Sequence, residues 1–189
     1  MNKIKKALIS VSDKKNLNIL LKNLKKHNIK LISSGGTFKE IKKLGFKCLE
    51  ISDFTGHPEI LDGRVKTLHP SIYAGILALR GQDSHMNQLS EHAIDEIALV
   101  AVNLYPFEAT ISRHNTTLSE ALENIDIGGP SMLRAASKNF PSVVVVVDPT
   151  DYTWVQQKMA GGGLTIDERR VLATKAFQHV AFYDTIIAN

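Results

Sequence analysis

Two runs of the sequence place charged side chains beside glycine or proline, where they could bind an anion or move a proton. One run is Asp62-Gly-Arg-Val-Lys-Thr-Leu-His-Pro70, in which a single residue separates Arg64 from Lys66. Two cations on an extended segment bounded by Gly and Pro are typical of an ordered binding loop, although a solvated loop with incidental charges fits as well. The other run, Ile125-Asp-Ile-Gly-Gly-Pro130, puts the carboxylate of Asp126 before a glycine pair. That carboxylate could act on a ligand or cap the next helix.

Small polar residues in two further runs are suited to a phosphate. Ser33-Ser-Gly-Gly-Thr37 combines glycines, which permit close backbone approach, with hydroxyls and free amides at a predicted helix start. Lys14, at the end of Ser10-Val-Ser-Asp-Lys14, could supply the counter-charge from a neighbouring turn. Any strand-to-helix turn favours small residues, so a purely structural role for the Ser-Gly-Gly-Thr turn stays open.

Two other positions carry groups with either a structural or a chemical use. In Asn103-Leu-Tyr-Pro-Phe107, Pro106 restricts Tyr105 to an extended backbone. The hydroxyl of Tyr105 could be a bonded core group or a proton donor. Lys138 follows Arg134 by four residues, which puts both on one side of a helix, either as a surface pair or as functional cations.

Short apolar segments alternate with helical patterns along the chain, and they indicate the strands and helices that position these side chains. We predict strands over residues 6–11, 29–33, 46–51, 97–103 and 142–147. Such strands favour an α/β fold in three layers, with a mostly parallel five-stranded sheet, helices on both faces and further helices at the C-terminus. Residues 1–189 then form one domain. Its polar runs lie beyond the carboxyl ends of the strands, where sheets of this kind bind ligands.

Capping boxes, in which a Thr is followed three residues later by a Glu, predict three helix starts. They begin at Thr37, Thr117 and Thr165. Gly45 is expected to end the helix after Thr37, and Pro130 to occupy the first position of another helix.

The net charge of +4 conceals an uneven distribution. Residues 1–50 hold 13 Lys and three acidic residues, a net +10, which leaves −6 for the rest of the chain. Such asymmetry is compatible with a nucleic-acid partner. In the first predicted helix, however, the leucines at 17, 20, 21 and 24 share one face, and the lysines at 14, 15, 22, 25 and 26 share another. Without interleaved aromatic residues these lysines indicate a solvated face, and we expect no nucleic-acid partner.

Composition and missing motifs exclude several other classes. The single cysteine excludes an internal disulfide or a multi-cysteine zinc site, and we expect Cys48 to be a buried small hydrophobe. No apolar run approaches the roughly 20 residues of a membrane span, so we expect a soluble, cytoplasmic protein with no membrane partner. Gly-x-Ser-x-Gly, Walker and dinucleotide-binding motifs do not occur. His57 and His69 lack ligand residues at metal spacing, so we expect no metal.

Taken together, these motifs resemble one family, the IMP cyclohydrolase domain of the bifunctional purine-biosynthesis enzyme AICAR transformylase/IMP cyclohydrolase. Two more runs, Ala135-Ala-Ser-Lys-Asn139 and Lys175-Ala-Phe-Gln-His179, extend the resemblance to nearly the whole chain. It implies a methylglyoxal-synthase-like fold, a homodimer, and the dehydrating ring closure of formyl-AICAR (5-formamidoimidazole-4-carboxamide ribotide) to inosine monophosphate, without metal or cofactor. The transformylase domain that follows in the family is absent from this sequence, so we expect an N-terminal domain. His57 stands where the family usually has Phe.

The resemblance also implies a division of labour within the site. The expected catalytic residues are Lys66, Tyr105, Asp126 and Lys138. Asp126 would orient and deprotonate the substrate amide, while Lys66 and Lys138 would stabilise charge developing on oxygen. Tyr105 or Lys138 would protonate the departing hydroxyl. The expected substrate-binding residues are Ser12, Lys14, Ser34, Gly36 and Thr37 around the phosphate, Arg64, Thr67 and Asn103 around the base and carboxamide, and Ile127 and Gly128.

Two alternatives share the expected fold. One is a non-catalytic allosteric module that binds phosphorylated ligands, as in the regulatory domain of carbamoyl-phosphate synthetase. It would use the Ser34-Gly-Gly-Thr37 turn but gives no reason for Arg64, Lys66 or Asp126. The other is methylglyoxal synthase, which acts on a triose phosphate.

Overall fold

A single parallel sheet organises residues 4–189, the part of the chain that the computed structural model describes. Its strands, in chain order, are β1 (Lys6–Val11), β2 (Lys30–Ser33), β3 (Leu49–Glu50), β4 (Leu99–Asn103) and β5 (Val144–Val146). They lie side by side in the order β3-β2-β1-β4-β5, and each neighbouring pair is parallel. The predicted α/β fold with five parallel strands is therefore confirmed.

The helices connect the strands and follow the last one. The α-helices, in chain order, are α1 (Leu17–Lys26), α2 (Gly35–Lys43), α3 (Ile51–Thr55), α4 (Pro70–Leu77), α5 (Asp83–Glu91), α6 (Phe107–Ile111), α7 (Leu118–Glu123), α8 (Gly128–Lys138), α9 (Tyr152–Ala160) and α10 (Ile166–Ala188). A 3₁₀ turn, Pro149–Asp151, precedes α9. Helix α1 packs on α9, while α4 and α10 pack on α8.

The strand order creates a crevice between β1 and β4. From β1 the chain moves outward to β2 and β3, and then returns to place β4 and β5 on the other side of β1. Right-handed crossovers in opposite directions put their helices on opposite faces of the sheet. The turns after β1 and β4 therefore diverge, and this point of reversal is where open α/β sheets bind ligands.

The edge strand β3 is shorter than the sequence predicts. Only Leu49 and Glu50 pair, with Ile32 and Ser33 of β2, whereas the prediction covered residues 46–51. Strand β2 offers no further partner because it ends at Ser33, and Ile51 already begins α3. The predicted starts of β2, β4 and β5 are likewise one or two residues too early.

One of the three predicted capping boxes is wrong. Helix α2 begins at Gly35, with Ser34 as an extended N-cap, so Thr37 lies inside the helix. Gly35 has φ +53°, a conformation that glycine adopts without strain and that lets the helix begin early. The boxes at Thr117 and Thr165 are confirmed. Pro130 is the third residue of α8, not the first.

The charge pattern of α1 agrees with the structure. Its four leucines are buried, and the lysines assigned to the solvated face are exposed. Gly45, with φ +79°, follows the last turn of α2 as predicted.

Arg80 ties the end of α4 to the start of β4. Its side chain is only 4% exposed and pairs with Glu96 at 3.1 Å. The guanidinium also donates to the carbonyl oxygens of Gly75 (2.9 Å) and Ile97 (3.0 Å). These bonds fix the C-terminal half of α4 against the segment that enters β4.

Replacing Arg80 should therefore cost far more stability than replacing a surface arginine. We expect Arg80→Met to lower the free energy of unfolding by about 2–4 kcal/mol, because buried carbonyl oxygens lose their donors. The matched control is Arg170→Met, which removes an exposed pair with Asp167 and should cost less than about 0.5 kcal/mol. Urea denaturation measures both, and equal losses would contradict this role.

Candidate active site

A cavity of about 630 Å³ opens at the carboxyl edge of the sheet, beside the reversal between β1 and β4. The turns after β1, β2 and β4 line it, together with the loop before α4 and the start of α8. Its volume suits a small ligand, since such sites commonly span ~300–1,000 Å³. The predicted site residues that line it are Ser12, Lys14, Ser34, Gly36, Thr37, Arg64, Lys66, Thr67, Asn103, Tyr105, Asp126, Ile127 and Gly128.

One end of the cavity is suited to an anion. Ser34 and Gly36 stand at the N-terminus of α2, where unpaired backbone amides and the helix dipole favour negative charge. Lys66 reaches the same place, because its Nζ lies 3.6 Å from the position that a Cβ on Gly35 would occupy. Lys14 approaches from the turn after β1. The loop and two turns thus bring two ammonium groups to one helix N-terminus.

Asp126 lines the same cavity, held by backbone and side-chain contacts. Its carboxylate oxygen Oδ1 accepts the N–H of Gly129 at 2.8 Å, and its own N–H donates to the hydroxyl of Tyr183 at 2.7 Å. Burial raises the pKa of Asp126, and the amides of the glycine pair and the charge of Lys66 oppose that rise only in part. The capping role and the chemical role foreseen for Asp126 are therefore compatible.

The glycine pair at the start of α8 is required by close packing. A Cβ on Gly128 would overlap the hydroxyl of Thr67, and one on Gly129 would overlap the carboxylate of Asp126 and lie 2.6 Å from Leu104. Glycine at both positions lets the helix start approach the loop before α4. This approach brings Lys66 and Asp126 into one cavity.

Two predicted ligand-binding side chains instead bond to the backbone at the end of β1 and in the turn that follows it. The hydroxyl of Thr37 donates to the carbonyl of Val11, and the carboxamide of Asn103 bonds to Asp13. Both residues line the cavity as expected. Their polar atoms, however, are used within the protein.

The mouth of the cavity contains residues that sequence reasoning missed. Arg64 forms an exposed ion pair with Glu123, the last residue of α7, and Leu122 and Ile127 add apolar surface. Tyr105 is half exposed at the rim. Of these residues, only Leu122 and Glu123 were not predicted. No sequence pattern marks them, because tertiary folding of the segment between β4 and α8 brings them to the cavity.

The structure places Lys138 outside the cavity, contrary to its expected catalytic role. It is the last residue of α8 and is exposed, whereas Gly128 at the other end of that helix lines the cavity. A rise of ~1.5 Å per residue separates the two ends by about 15 Å. Arg134, one turn earlier, lies over the ring of Phe177, with 6.0 Å between Cζ and the ring centroid. Within one chain, Arg134 and Lys138 therefore fit the first of the two predicted roles, a pair of cations on the surface of a helix.

Other reactive side chains have structural surroundings. Cys48 is half-buried, and burial raises its thiol pKa to about 12, which agrees with an inert residue more than with a nucleophile. His69 caps α4, since its Nδ1 accepts the N–H of Ser71 at 3.2 Å. Within residues 4–189, no group of three or more His, Cys, Asp or Glu side chains is arranged to hold a metal ion. In the same range, no helix is both long and apolar enough to cross a membrane.

Comparisons with known proteins agree with this fold. The family model for the MGS-like domain matches residues 16–131, and that for the AICARFT/IMPCHase bienzyme matches residues 136–189. The chain is 54% identical to the bifunctional purine biosynthesis protein PurH of Bacillus subtilis and 51% identical to that of Streptococcus mutans. Each alignment covers 98% of this chain but only 36% of the relative. The crystal structure of ForH superposes with a TM-score of 0.87 at 35% identity, covering 98% of this chain and 97% of ForH.

Gly129→Ala tests the packing of the glycine pair. The added methyl group would displace the Asp126 carboxylate or the Leu104 side chain, so we expect a loss of about 1–3 kcal/mol in the free energy of unfolding. Gly81→Ala is the control, because nothing lies within 4 Å of a Cβ there, and it should change stability by less than about 0.5 kcal/mol. Chemical denaturation measures the stability of both variants. Equal stability would contradict the close packing of Gly129 against Asp126 and Leu104.

Proposed function

This chain belongs to the family of MGS-like domains, and we propose that it is an IMP cyclohydrolase domain that closes formyl-AICAR to inosine monophosphate with loss of water. One observation carries the proposal: a helix N-terminus suited to phosphate and a carboxylate with a raised pKa share one cavity of ribotide size. The match to the AICARFT/IMPCHase bienzyme and the printed names of the PurH relatives support it. The chain spans about 36% of the length of those relatives.

Ring closure requires a base because the attacking nitrogen belongs to a carboxamide. Its lone pair is delocalised into the carbonyl, so the nitrogen must lose a proton as it bonds to the formyl carbon. Asp126 would accept that proton, and its raised pKa makes it a stronger base than an exposed aspartate. The bonds of Asp126 to Gly129 and Tyr183 would hold it in place for the transfer. Holding both reacting groups within one bound molecule supplies further acceleration.

The formyl oxygen gains negative charge as the nitrogen attacks, and it later leaves as water. Lys66 would stabilise the charge, since a preorganised donor of this kind contributes about 3–4 kcal/mol to the transition state. Protonated Asp126 would return its proton to this oxygen, and Tyr105, at the rim of the cavity, would donate a second proton as the hydroxyl departs as water. The formamido nitrogen would then give up its N–H proton, which restores Tyr105, as the C=N bond of the ring forms. Lys138 has no part in this scheme because it lies at the far end of α8.

The remaining cavity residues would hold the ribotide in register with these groups. Ser34, Gly36 and Lys14 surround the expected phosphate position at the start of α2. Arg64, Thr67, Ile127 and Gly128 also line the cavity, and we expect them to contact the base and its carboxamide. Arg64 would exchange its exposed partner Glu123 for the ligand, at little cost, because exposed ion pairs contribute only about 0–1 kcal/mol.

Direct turnover of formyl-AICAR tests the proposal. In a single-turnover reaction followed by the absorbance of inosine monophosphate, we expect product from the wild-type chain. Lys66→Ala should be slower by at least about a hundredfold, as expected for loss of one preorganised donor. Lys30→Ala is the matched control and should stay within about threefold, because Lys30 is exposed at the amino end of β2 and does not line the cavity. Absence of product from the wild type would contradict the cyclohydrolase assignment and would leave the allosteric and methylglyoxal synthase alternatives.

The pH dependence of the same reaction reports on Asp126. An ordinary aspartate has a pKa of about 3.9. Because the pKa of Asp126 is raised, its carboxyl stays protonated, and so unable to accept a proton, up to a higher pH. We expect the rate to fall as the pH falls through this raised pKa. Asp126→Asn should lower the rate at neutral pH by at least about a hundredfold and abolish this acid limb. An acid limb that persists in Asp126→Asn would exclude Asp126 as the base.

Three further parts of the proposal rest on the resemblance alone. They are a homodimer, a cytoplasmic setting, and residues 1–189 as the cyclohydrolase unit of a longer enzyme that also carries the formyltransferase activity. A monomer in sedimentation would contradict the first.

A further inference from the structure

We propose that Thr37 and Asn103 are positioning residues that hold the Ser12 turn from both sides and thereby place the phosphate-binding groups. This inference deepens the proposed function and rests on it. It replaces the direct contact with substrate that the sequence predicts for these two side chains.

Thr37 locks the last residue of β1. Its Oγ1 accepts the N–H of Val11 at 3.0 Å and donates to the carbonyl oxygen of the same residue at 2.9 Å. A threonine hydroxyl has one proton, and Val11 takes it, so this hydroxyl has no proton left for a phosphate oxygen. Thr37 is 5% exposed, which limits competition from water for these two bonds.

Asn103 performs the same task one residue beyond Ser12. Its Oδ1 accepts the N–H of Asp13 and its Nδ2 donates to the carbonyl oxygen of Asp13, both at 2.9 Å. Asn103 is the last residue of β4 and the ladder partner of Val11, the last residue of β1. Its carboxamide therefore continues the backbone pairing of β1 with β4 after the ladder has ended. At 8% exposure, this pairing is also shielded from water.

Ser12 lies between the two locked residues and lines the cavity. Because both neighbours are held, the backbone of Ser12 is restrained, and Lys14 donates to its carbonyl oxygen at 3.3 Å. Thr37 also belongs to the first turn of α2, so the same hydroxyl fixes the helix N-terminus relative to Ser12. The anion site is thus preorganised, which lowers the entropy cost of binding.

The first test compares Thr37→Val with Thr37→Ser in binding of inosine monophosphate and of inorganic phosphate, measured by calorimetry. Valine keeps the shape and loses both bonds, so we expect affinity to fall by about tenfold or more. Serine keeps the hydroxyl and should stay within about threefold. Thr110→Val is the control for general destabilisation, because Thr110 is equally buried but lies outside the cavity. Unchanged binding in Thr37→Val, or an equal loss in Thr37→Ser, would overturn the proposal.

A double-mutant cycle distinguishes positioning from independent contact. If Thr37 acts through Ser12, Thr37→Val should cost at least about threefold less affinity in a Ser12→Ala background than in the wild type. If Thr37 contacts the ligand independently, the two losses multiply, and this outcome would contradict a positioning role.

Amide hydrogen exchange tests the clamp without any substrate. In Asn103→Ala, the amide of Asp13 should exchange at least about tenfold faster, while the amides of Val100 and Val145 in the centre of the sheet keep their protection. Uniform change across the sheet, or no change at Asp13, would overturn the clamp. Hydrogen exchange does not depend on catalysis. It therefore tests the positioning role of Asn103 even if the chain forms no product from formyl-AICAR.

Discussion

At the carboxyl ends of parallel strands, the backbone loses its hydrogen-bond partners in the sheet, and this is where the ligand is expected to bind. The rest of the site depends on which groups replace those partners. Side chains from neighbouring elements take over the pairing. Thr37 bonds to Val11 and Asn103 to Asp13. Tyr183 likewise accepts the N–H of Asp126 in the turn before α8. Each bond restrains the backbone beside a group to which the proposed chemistry assigns a fixed place.

The cavity combines two electrostatic environments that oppose each other. At the start of α2, free amides and the ammonium groups of Lys14 and Lys66 favour an anion. At the start of α8, the same kind of helix N-terminus is already occupied by the protein's own carboxylate, Asp126, through Gly129. Burial nevertheless raises the pKa of that carboxylate, so it keeps its basicity. One helix start thus remains available to the substrate, while the other orients a base.

The sequence predicts the parts of this arrangement that local patterns determine. Alternating apolar strands and helices give the parallel sheet, and the carboxyl-end rule brings Ser34, Lys66 and Asp126 to one edge. The direction of the Thr37 hydroxyl was not predictable, because it depends on α2 starting at Gly35 with a positive φ. Glu123 was missed because a tertiary fold-back brings it to the mouth. Lys138 was expected in the site from a motif match, which does not take account of the length of the helix that separates it from Gly128.

A structure of the chain with bound inosine monophosphate is the most direct measurement of the central claim. We predict phosphate oxygens within hydrogen-bond distance of the amides at the start of α2, with the pyrimidine ring between Lys66 and Asp126. The Thr37 and Asn103 side chains should keep their bonds to Val11 and Asp13. A nucleotide bound in the reverse orientation, or a phosphate bonded by the Thr37 hydroxyl, would contradict it.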